Sequence, residues 1–214
     1  MKRRIVLLGP PASGKGTQAE MLRRNFQIPT ASPGAMLREQ KKAGTPLGIE
    51  AEKLTSRGQL LPDDLIVDLV KSWLDDHNGA FTFDGFPRTI GQALTLETLL
   101  TGRNTPLDVA LSLDVGFDTI LDRVLRRMVC DDCGNIVSIG LHVGSAESPC
   151  PACGGKLHRR SDDNEETLRQ RMGEYREKSE PLISIYAERG VLKHIDASRA
   201  PEQVFADITE ILEK

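Results

Sequence analysis

The chain has 214 residues, enough for one large domain or for a core with inserted lobes, and it can bury a substantial core without disulfides. Its 28 basic and 31 acidic residues give a formal net charge of −3, which argues against a general binder of nucleic acid or anionic membranes. The apolar run near the N-terminus is too short for a signal peptide, and all other apolar runs are shorter than the roughly 20 residues that span a bilayer. We therefore expect a soluble, cytoplasmic protein.

The apolar pattern predicts a fold in which strands and helices alternate. Short runs rich in branched residues predict strands over residues 5–8, 80–83, 109–113 and 191–195. Helical periodicity predicts helices over residues 15–25, 63–76, 90–100, 117–128, 165–188 and 201–212. Parallel strands need crossover connections, so this order indicates an α/β fold whose parallel sheet carries helices on both faces.

Two segments interrupt the alternation. Residues 30–61 look helical and polar, with no convincing strand, and predict a helical insertion. Residues 130–160 are rich in Cys, Gly and Pro and lack helical periodicity, which predicts a separate irregular lobe.

The segment directly after the first predicted strand is the most informative one. Gly9-Pro-Pro-Ala-Ser-Gly14-Lys15-Gly16-Thr17 fits the pattern Gly-x4-Gly-Lys and then opens a helix. Such a loop points backbone N–H groups at phosphate oxygens, and its lysine reaches the terminal phosphates. Gly16 separates Lys15 from Thr17, which indicates a particular subclass of phosphate loop. The alternative is a glycine-rich turn that only joins a strand to a helix.

A second motif, Phe83-Asp84-Gly85-Phe86-Pro87-Arg88-Thr89, follows a later buried strand. Ligands of such folds bind beyond the carboxyl ends of the strands. Asp84 could hold Mg²⁺ through water, and Arg88 could bind a phosphate with two hydrogen bonds. An ordinary Asp-Gly turn beside a solvated arginine is the alternative, and the phosphate loop argues against it.

All cysteines of the chain lie in two pairs, Cys130-Asp-Asp-Cys133 and Cys150-Pro-Ala-Cys153. Two such pairs predict a closed tetrahedral zinc site that is structural, because the four thiolates leave no ligand position open. Two disulfides are the competing interpretation, which a reducing cytosol disfavours. We expect the nearby His142 and His158 to be surface residues.

With these motifs the chain resembles the adenylate kinases whose lid binds zinc, over essentially its whole length. The resemblance implies a phosphate-loop core of residues 1–29, 62–126 and 161–214. It also implies a helical lobe of residues 30–61 that binds a nucleoside monophosphate, and a zinc-binding lid of residues 127–160. The implied reaction is ATP + AMP ⇌ 2 ADP, with Mg²⁺ bound alongside ATP and a monomeric enzyme.

The resemblance also assigns roles to individual residues. ATP contacts are implied for Ala12, Ser13, Gly14, Lys15, Gly16, Thr17, Arg127, Ile136, Val137 and Arg199. AMP contacts are implied for Pro33, Arg38, Gln59, Leu60, Leu61, Gly85, Phe86, Pro87, Arg88, Gln92, Arg160 and Arg171. Catalytic roles are implied for Lys15, Arg88, Arg123, Arg127, Arg160 and Arg171. The amide of Gln92 can both donate to and accept from the adenine edge, which favours AMP as acceptor.

The basic residues also have a simpler interpretation. Arg123 and Arg127 are four residues apart on a predicted helix, a spacing that solvated helix charges often show. The resemblance instead brings them, with Arg160 and Arg171, to the transferred phosphate. It makes Asp162 and Asp163 hinge carboxylates of the lid. Trp73, on an amphipathic helix, is expected to be part of the core.

The sequence departs from the family pattern at three positions. Pro33 and Ala35 stand where the family usually has Thr and Asp, which puts the affinity for the acceptor in doubt. Ala12 stands where Gly is common, so its backbone must avoid a positive φ or tolerate the strain.

Two other functions compete with AMP phosphorylation. One is a kinase for UMP, CMP or GMP, against which Gln92 argues. The other is a non-catalytic nucleotide sensor, against which the full set of arginines and Lys15 argues.

Overall fold

A computed structural model describes residues 1–57, 59–77 and 79–214, and its centre is a five-stranded parallel sheet in the order β2-β3-β1-β4-β8. These strands are β1 (Arg4–Leu8), β2 (Thr30–Ala31), β3 (Phe81–Asp84), β4 (Val109–Asp114) and β8 (Leu192–Asp196). A three-stranded antiparallel sheet consists of β5 (Arg127–Cys130), β6 (Ile136–Ser138) and β7 (Leu157–His158). The α/β fold class is confirmed.

Helices alternate with the strands of the parallel sheet along the chain. Those that flank or extend the parallel sheet are α1 (Lys15–Phe26), α4 (Asp63–Asp76), α5 (Ile90–Gly102), α6 (Phe117–Arg126), α7 (Glu165–Glu174), α8 (Pro181–Glu188) and α9 (Pro201–Glu213). Two more, α2 (Pro33–Lys42) and α3 (Pro46–Thr55), pack on each other as the helical insertion. No helix within the described ranges combines the length and the hydrophobicity that a membrane crossing needs.

The central strand divides the core into two layers because its successive side chains point to opposite faces. Val6 and Leu8 pack into a cluster with the apolar faces of α4, α5 and α8. Ile5 and Leu7 pack into a second cluster with α1 and α9. Both faces of β1 are therefore buried, as a parallel sheet requires. Trp73 packs against the first cluster, which confirms the expectation that it is part of the core.

Four details differ from the sequence predictions. Residues 30–61 do contain a strand, the two-residue β2, which pairs with β3 at the sheet edge. The helix predicted over residues 117–128 ends at Arg126, because Arg127 is extended (ψ 132°) and begins β5. Arg123 and Arg127 therefore do not share a helix face. The helix predicted over residues 165–188 is interrupted by a π-helical turn at Tyr175–Ser179.

The fourth difference concerns the cysteine-rich lobe, which was predicted to be irregular but contains the antiparallel sheet. Its hydrophobic core is small and consists of five buried residues, Met128, Cys130, Val137, Cys150 and Leu157. A core of this size gives little stability, so such a lobe needs a further constraint.

The cysteine-rich lobe touches the helical insertion. The Nζ atom of Lys42, at the end of α2, donates a hydrogen bond of 2.7 Å to the carbonyl oxygen of Asp131. The two lobes are therefore in contact. Gly58, in the run that precedes Gln59, lies outside the described residues.

Candidate active site

The phosphate loop begins where β1 ends. The loop closes with a hydrogen bond of 3.2 Å from the Ser13 N–H to the Pro10 carbonyl oxygen. Gly14 then takes a left-handed conformation (φ 103°) and caps α1, which begins at Lys15. The α1 cap has no side-chain hydrogen bond, so the first backbone N–H groups of the helix are free to bind an anion.

Ala12 has a positive φ, which is the strained conformation that its sequence position suggested. Its φ is 56°, in the left-handed region that a Cβ atom disfavours by roughly 1–2 kcal/mol. The loop therefore tolerates strain at this position rather than avoiding a positive φ.

Lys15 lies folded back over its own loop. Its Nζ donates to the carbonyl oxygens of Gly9 (2.7 Å) and Pro10 (2.8 Å) and to Ser13 Oγ (3.3 Å). Burial of the ammonium group lowers the pKa of Lys15 to about 7, although the nearby Asp84 carboxylate partly opposes this effect. A phosphate that approached this lysine would favour its charged form.

The second motif lies beside the phosphate loop because β3 pairs with β1. Asp84, the last residue of β3, is in register with Leu7, and its Oδ2 accepts a hydrogen bond of 3.4 Å from Ser32 Oγ. Arg88 turns back over the loop, where its Nε donates to the Gly85 carbonyl oxygen at 2.8 Å. Phe86 and Pro87 are buried.

Gly85 leaves no room for a side chain. Its φ is +74°, and a Cβ atom there would lie 2.8 Å from Arg88 Nη2. A Gly85→Ala variant should therefore lose about 1–2 kcal/mol of unfolding free energy, from backbone strain and displacement of the guanidinium. Denaturant unfolding measures this loss. In the matched control, Gly102→Ala, no atom lies within 4 Å of the added Cβ, and we expect a change below about 0.5 kcal/mol. Equal effects of the two substitutions would contradict the steric argument.

Basic side chains converge on the phosphate loop from several elements. The charges of Arg88, Arg127 and Arg171 are close enough to lower the pKa of Lys15. The charge of Arg127 acts in the same way on Arg160. Together with Arg38 they form a basic cluster of six cations, Lys15, Arg38, Arg88, Arg127, Arg160 and Arg171. The carboxylates among them are Asp84, Asp162 and Asp163. The cluster therefore carries excess positive charge.

This excess charge is costly in the absence of an anion. Burial, together with the neighbouring Arg171, lowers the pKa of Arg88 to about 10. Burial, together with Arg38 and Arg127, lowers the pKa of Arg160 to about 10. Guanidinium groups stay charged in proteins, so the direction of these shifts indicates an unfavourable electrostatic environment that a bound polyanion would relieve.

Two ion pairs fix the arginines nearest the lid. Arg127 binds Asp163 through both ends of its guanidinium, with a distance of 2.7 Å from Nε to Oδ2. Burial opposes the charge of Arg127, but this bidentate pair outweighs it and raises the pKa. Arg171 Nη1 donates to Asp162 Oδ2 at 2.7 Å. Asp162 and Asp163 therefore position two of the arginines.

Arg123 and Arg199 lie outside the basic cluster. Arg123 donates to the carbonyl oxygens of Ser13 (3.2 Å) and Ala197 (2.7 Å), and so it joins the phosphate loop to the loop after β8. Arg199 pairs with Asp207 on α9, which holds its side chain on that helix.

Several residues that were predicted to contact the two nucleotides lie on the cysteine-rich lobe and on the helical insertion. In the cysteine-rich lobe Ile136 is exposed while Val137 is part of the small core. In the helical insertion Pro33 is the buried first residue of α2, and Arg38 is exposed on the same helix. Of the run after Gly58, Gln59 is exposed, Leu60 is half-buried and Leu61 is buried in the first core cluster. Side-chain contacts from Pro33 and Leu61 to a ligand are therefore restricted.

Gln92 is buried beside the second motif, and its amide already has two partners. Oε1 accepts from the Arg88 N–H at 2.7 Å, and Nε2 donates to Asp63 Oδ1 at 2.7 Å. The sequence reasoning missed Asp63, which looked like an ordinary acidic residue at the start of a helix. It also missed Ser179, whose Oγ donates to the Arg88 carbonyl oxygen at 2.8 Å from the unpredicted π-helical turn.

The four cysteines come together in one cluster. Their Sγ atoms all lie within 4.8 Å of one another, with 3.4 Å between Cys130 and Cys153 and 3.7 Å between Cys133 and Cys150. All four thiols are free, and a tetrahedral zinc site with Zn–S bonds of about 2.3 Å would place its sulfurs about 3.8 Å apart. The donor set and spacing therefore fit a metal ion. His142 and His158 are exposed, as expected.

Known proteins are similar to this chain over nearly its full length. Residues 7–191 match the family described as adenylate kinase. An adenylate kinase of Thermodesulfovibrio yellowstonii is 43% identical over 213 residues, which cover 99% of each chain. Those of Clostridium botulinum (40%, covering 98% of each chain) and of a Geobacillus species (39%, covering 97%) are similar to a comparable degree. The phosphate loop, the basic cluster and these matches together establish that the chain belongs to the adenylate kinase family.

Proposed function

We propose that this enzyme uses its basic cluster to hold the phosphate chain between two nucleotides during transfer. The reaction is the reversible transfer of a phosphoryl group from ATP to AMP, which gives two ADP. The observation that carries the proposal is the excess of cations, most of them half-buried, beside a helix N-terminus without a side-chain cap. Such a site favours a polyanion and stabilises charge that develops on the transferred group.

On the donor side, the loop from Ala12 to Thr17 would surround the phosphates of ATP. Lys15 would leave its intramolecular partners and bind the terminal phosphates, and Arg127 would approach from the lid. Asp84 would hold Mg²⁺ through water, and the metal would neutralise phosphate charge. The donor base would lie between Ile136 and Val137 of the lid and the backbone at Arg199.

On the acceptor side, Arg38 and Arg88 would bind the phosphate of AMP, with Arg160 and Arg171 nearby. An oxygen of that phosphate attacks the γ-phosphorus as the bond to the leaving oxygen of ADP breaks. The attacking oxygen is ionised at neutral pH, so no general base is needed, and positioning with charge neutralisation supplies the catalysis. Pro33, Gln59, Leu60, Leu61 and Gly85–Pro87 would line the acceptor pocket, and Gln92 would read the adenine edge. Arg123 would act through the phosphate loop.

The proposed division is a core (1–29, 62–126 and 161–214), an acceptor lobe (30–61) and a lid (127–160). The hydrogen bond from Lys42 to Asp131 supports this division, because it joins the two smaller lobes over the site. Closure of the two lobes would exclude water, which otherwise would turn transfer into hydrolysis of ATP.

We assign zinc to the four-cysteine cluster, where it would be purely structural. Tetrahedral thiolate sites of this kind stabilise small lobes and leave no position for substrate. We further propose a monomeric, cytoplasmic enzyme without nucleic-acid partners.

The low pKa of Lys15 predicts a pH dependence of ATP binding. Above pH 7 the free enzyme loses the Lys15 proton, whereas the bound phosphates favour the ammonium form. ATP affinity should therefore fall as pH rises from 7.5 to 9, by up to about tenfold per pH unit, with uptake of about one proton. Calorimetry in buffers of different ionisation enthalpy measures both effects. A Lys15→Arg variant, which stays charged, should show no such uptake, and equal uptake by both proteins would refute the assignment.

A panel of acceptors tests the proposed function. Purified enzyme with Mg·ATP and each of AMP, UMP, CMP and GMP should form nucleoside diphosphate rapidly with AMP alone. That result would also show that Pro33 and Ala35 are tolerated. Preference for another monophosphate would contradict AMP as the acceptor. Tight ATP binding without phosphoryl transfer would favour a non-catalytic nucleotide sensor.

A further inference from the structure

The amide of Gln92 is held in one orientation by two different partners. A backbone donor, the Arg88 N–H, meets its oxygen, and a carboxylate acceptor, Asp63 Oδ1, meets its nitrogen. If the amide rotated by 180°, a donor would face a donor and an oxygen would face a carboxylate. Both hydrogen bonds would be lost in a buried place, where unpaired polar groups are costly.

Asp63 can play this part because it is itself tied down. It is the first residue of α4, and its second oxygen, Oδ2, accepts from Thr89 Oγ1 at 2.5 Å. The same hydroxyl accepts from the Gln92 N–H at 3.1 Å and caps α5. One carboxylate thus holds both the cap of α5 and the amide of Gln92.

An amide has two donor hydrogens and two acceptor lone pairs, so one of each remains after these two hydrogen bonds. Adenine offers a donor at its 6-amino group and an acceptor at N1. Hypoxanthine offers the reverse, an acceptor at its 6-oxo group and a donor at N1. The orientation of the amide therefore decides which purine it fits.

We propose that Asp63 is a positioning residue that fixes the Gln92 amide and thereby sets the preference of the acceptor site for 6-aminopurine over 6-oxopurine monophosphates. This inference rests on the proposed role of Gln92 in reading the acceptor base. Asp63 itself does not touch the nucleotide.

The experiment compares AMP with IMP, which differ only at position 6 and N1, in the full-length enzyme with Mg·ATP. Asp63→Asn should raise KM for AMP about tenfold, change kcat less than about threefold, and lower the AMP-to-IMP ratio of kcat/KM about tenfold. Asp63→Ser also removes the carboxylate and keeps a residue that is favourable at a helix start. It should show the same changes in KM and in the AMP-to-IMP ratio, and it serves as the test if Asp63→Asn folds poorly.

Two control variants separate positioning from general destabilisation. Asp64→Asn makes the same change on the neighbouring exposed residue, whose carboxylate accepts from the Leu65 N–H, and should leave the ratio unchanged. Thr89→Val removes the cap of α5 and one hydrogen bond of Asp63 but keeps the bond between Asp63 and Gln92, and should lower the ratio less than the Asp63 variants do. An unchanged ratio in both Asp63 variants, or equal losses with AMP and IMP, would overturn the inference.

Gln92→Leu separates this inference from the role of Gln92 itself. If Gln92→Leu loses the preference while the Asp63 variants keep it, the base-reading role stands and the inference fails. If Gln92→Leu keeps the preference of the wild type, the base-reading role fails, and the inference fails with it.

Discussion

A Lys15→Met variant should lose about a thousandfold in kcat for the formation of ADP from ATP and AMP. The ammonium group of Lys15 lies directly on the phosphate loop, where Nζ donates to the carbonyl oxygens of Gly9 and Pro10, and methionine removes its charge. Steady-state kinetics with both substrates saturating measures the effect. Retention of more than about a tenth of kcat would contradict the assignment.

The same variant should be at least as stable as the wild type near pH 7. In the wild type the pKa of Lys15 is about 7 in the folded chain and 10.5 when unfolded. Folding therefore carries a penalty for the charged lysine that is fully present below pH 7 and disappears as pH rises toward 10.5. Methionine removes the penalty, so thermal unfolding should show no loss of stability. Lys71→Met, on the exposed side of α4, is the matched control and should leave kcat within about twofold.

Removal of the zinc that we assign to the four-cysteine cluster should lower the melting temperature by about 10 °C or more. Structural zinc binds such sites with about 10–16 kcal/mol in small domains, and each kcal/mol shifts the melting temperature of a chain of this size by about 2–4 °C. We expect one zinc per chain in the purified protein and its loss on chelation. The lobe should then become sensitive to protease, because its core of five buried residues is too small to hold it.

Ligand assignment is tested by comparing a cysteine with a nearby histidine. Cys150→Ser should lose the zinc, whereas His158→Ala, at an exposed residue that pairs with Asp131, should keep it. Zinc retained in full by Cys150→Ser would contradict the four-cysteine site. An intact protein without metal, lighter by four hydrogens, would instead support the two disulfides.

The sequence predicted the core well because periodicity and burial agree there. The strand through Val6 and the helices that cover it follow from apolar spacing alone, and α4 was predicted with its observed bounds. Where two structures compete for the same pattern, the prediction was wrong. Apolar residues after Arg126 continue the helical spacing, yet they pair with β6 and β7 as β5.

Short and irregular elements could not be predicted. The two residues of β2 carry too little pattern to be seen, and β2 forms only because β3 lies beside it. Pro181 is the one local signal of the interruption, because a proline cannot donate in the α-helical hydrogen-bond ladder, but it does not distinguish a π-helical turn from a simple kink. Two strands of the antiparallel sheet, β6 and β7, were missed for the same reason, because they have only three and two residues.

For the candidate site, motifs identified residue types but not their partners. The motif identified Arg88, whereas the hydrogen bond from Ser179 Oγ to the Arg88 carbonyl oxygen joins residues far apart in sequence and could not be predicted. Ala12 shows the same limit in another form. From the sequence, Ala12 could either avoid a positive φ or tolerate the strain of one. The observed φ of 56° shows that the strain is tolerated.

The most direct test is a crystal structure with a bisubstrate analogue, two adenosines joined by five phosphates. We predict that the phosphate chain lies between Lys15 and the guanidinium groups of Arg88 and Arg171, with one adenine beside Gln92. A phosphate chain bound away from Lys15 and the basic cluster would contradict the account.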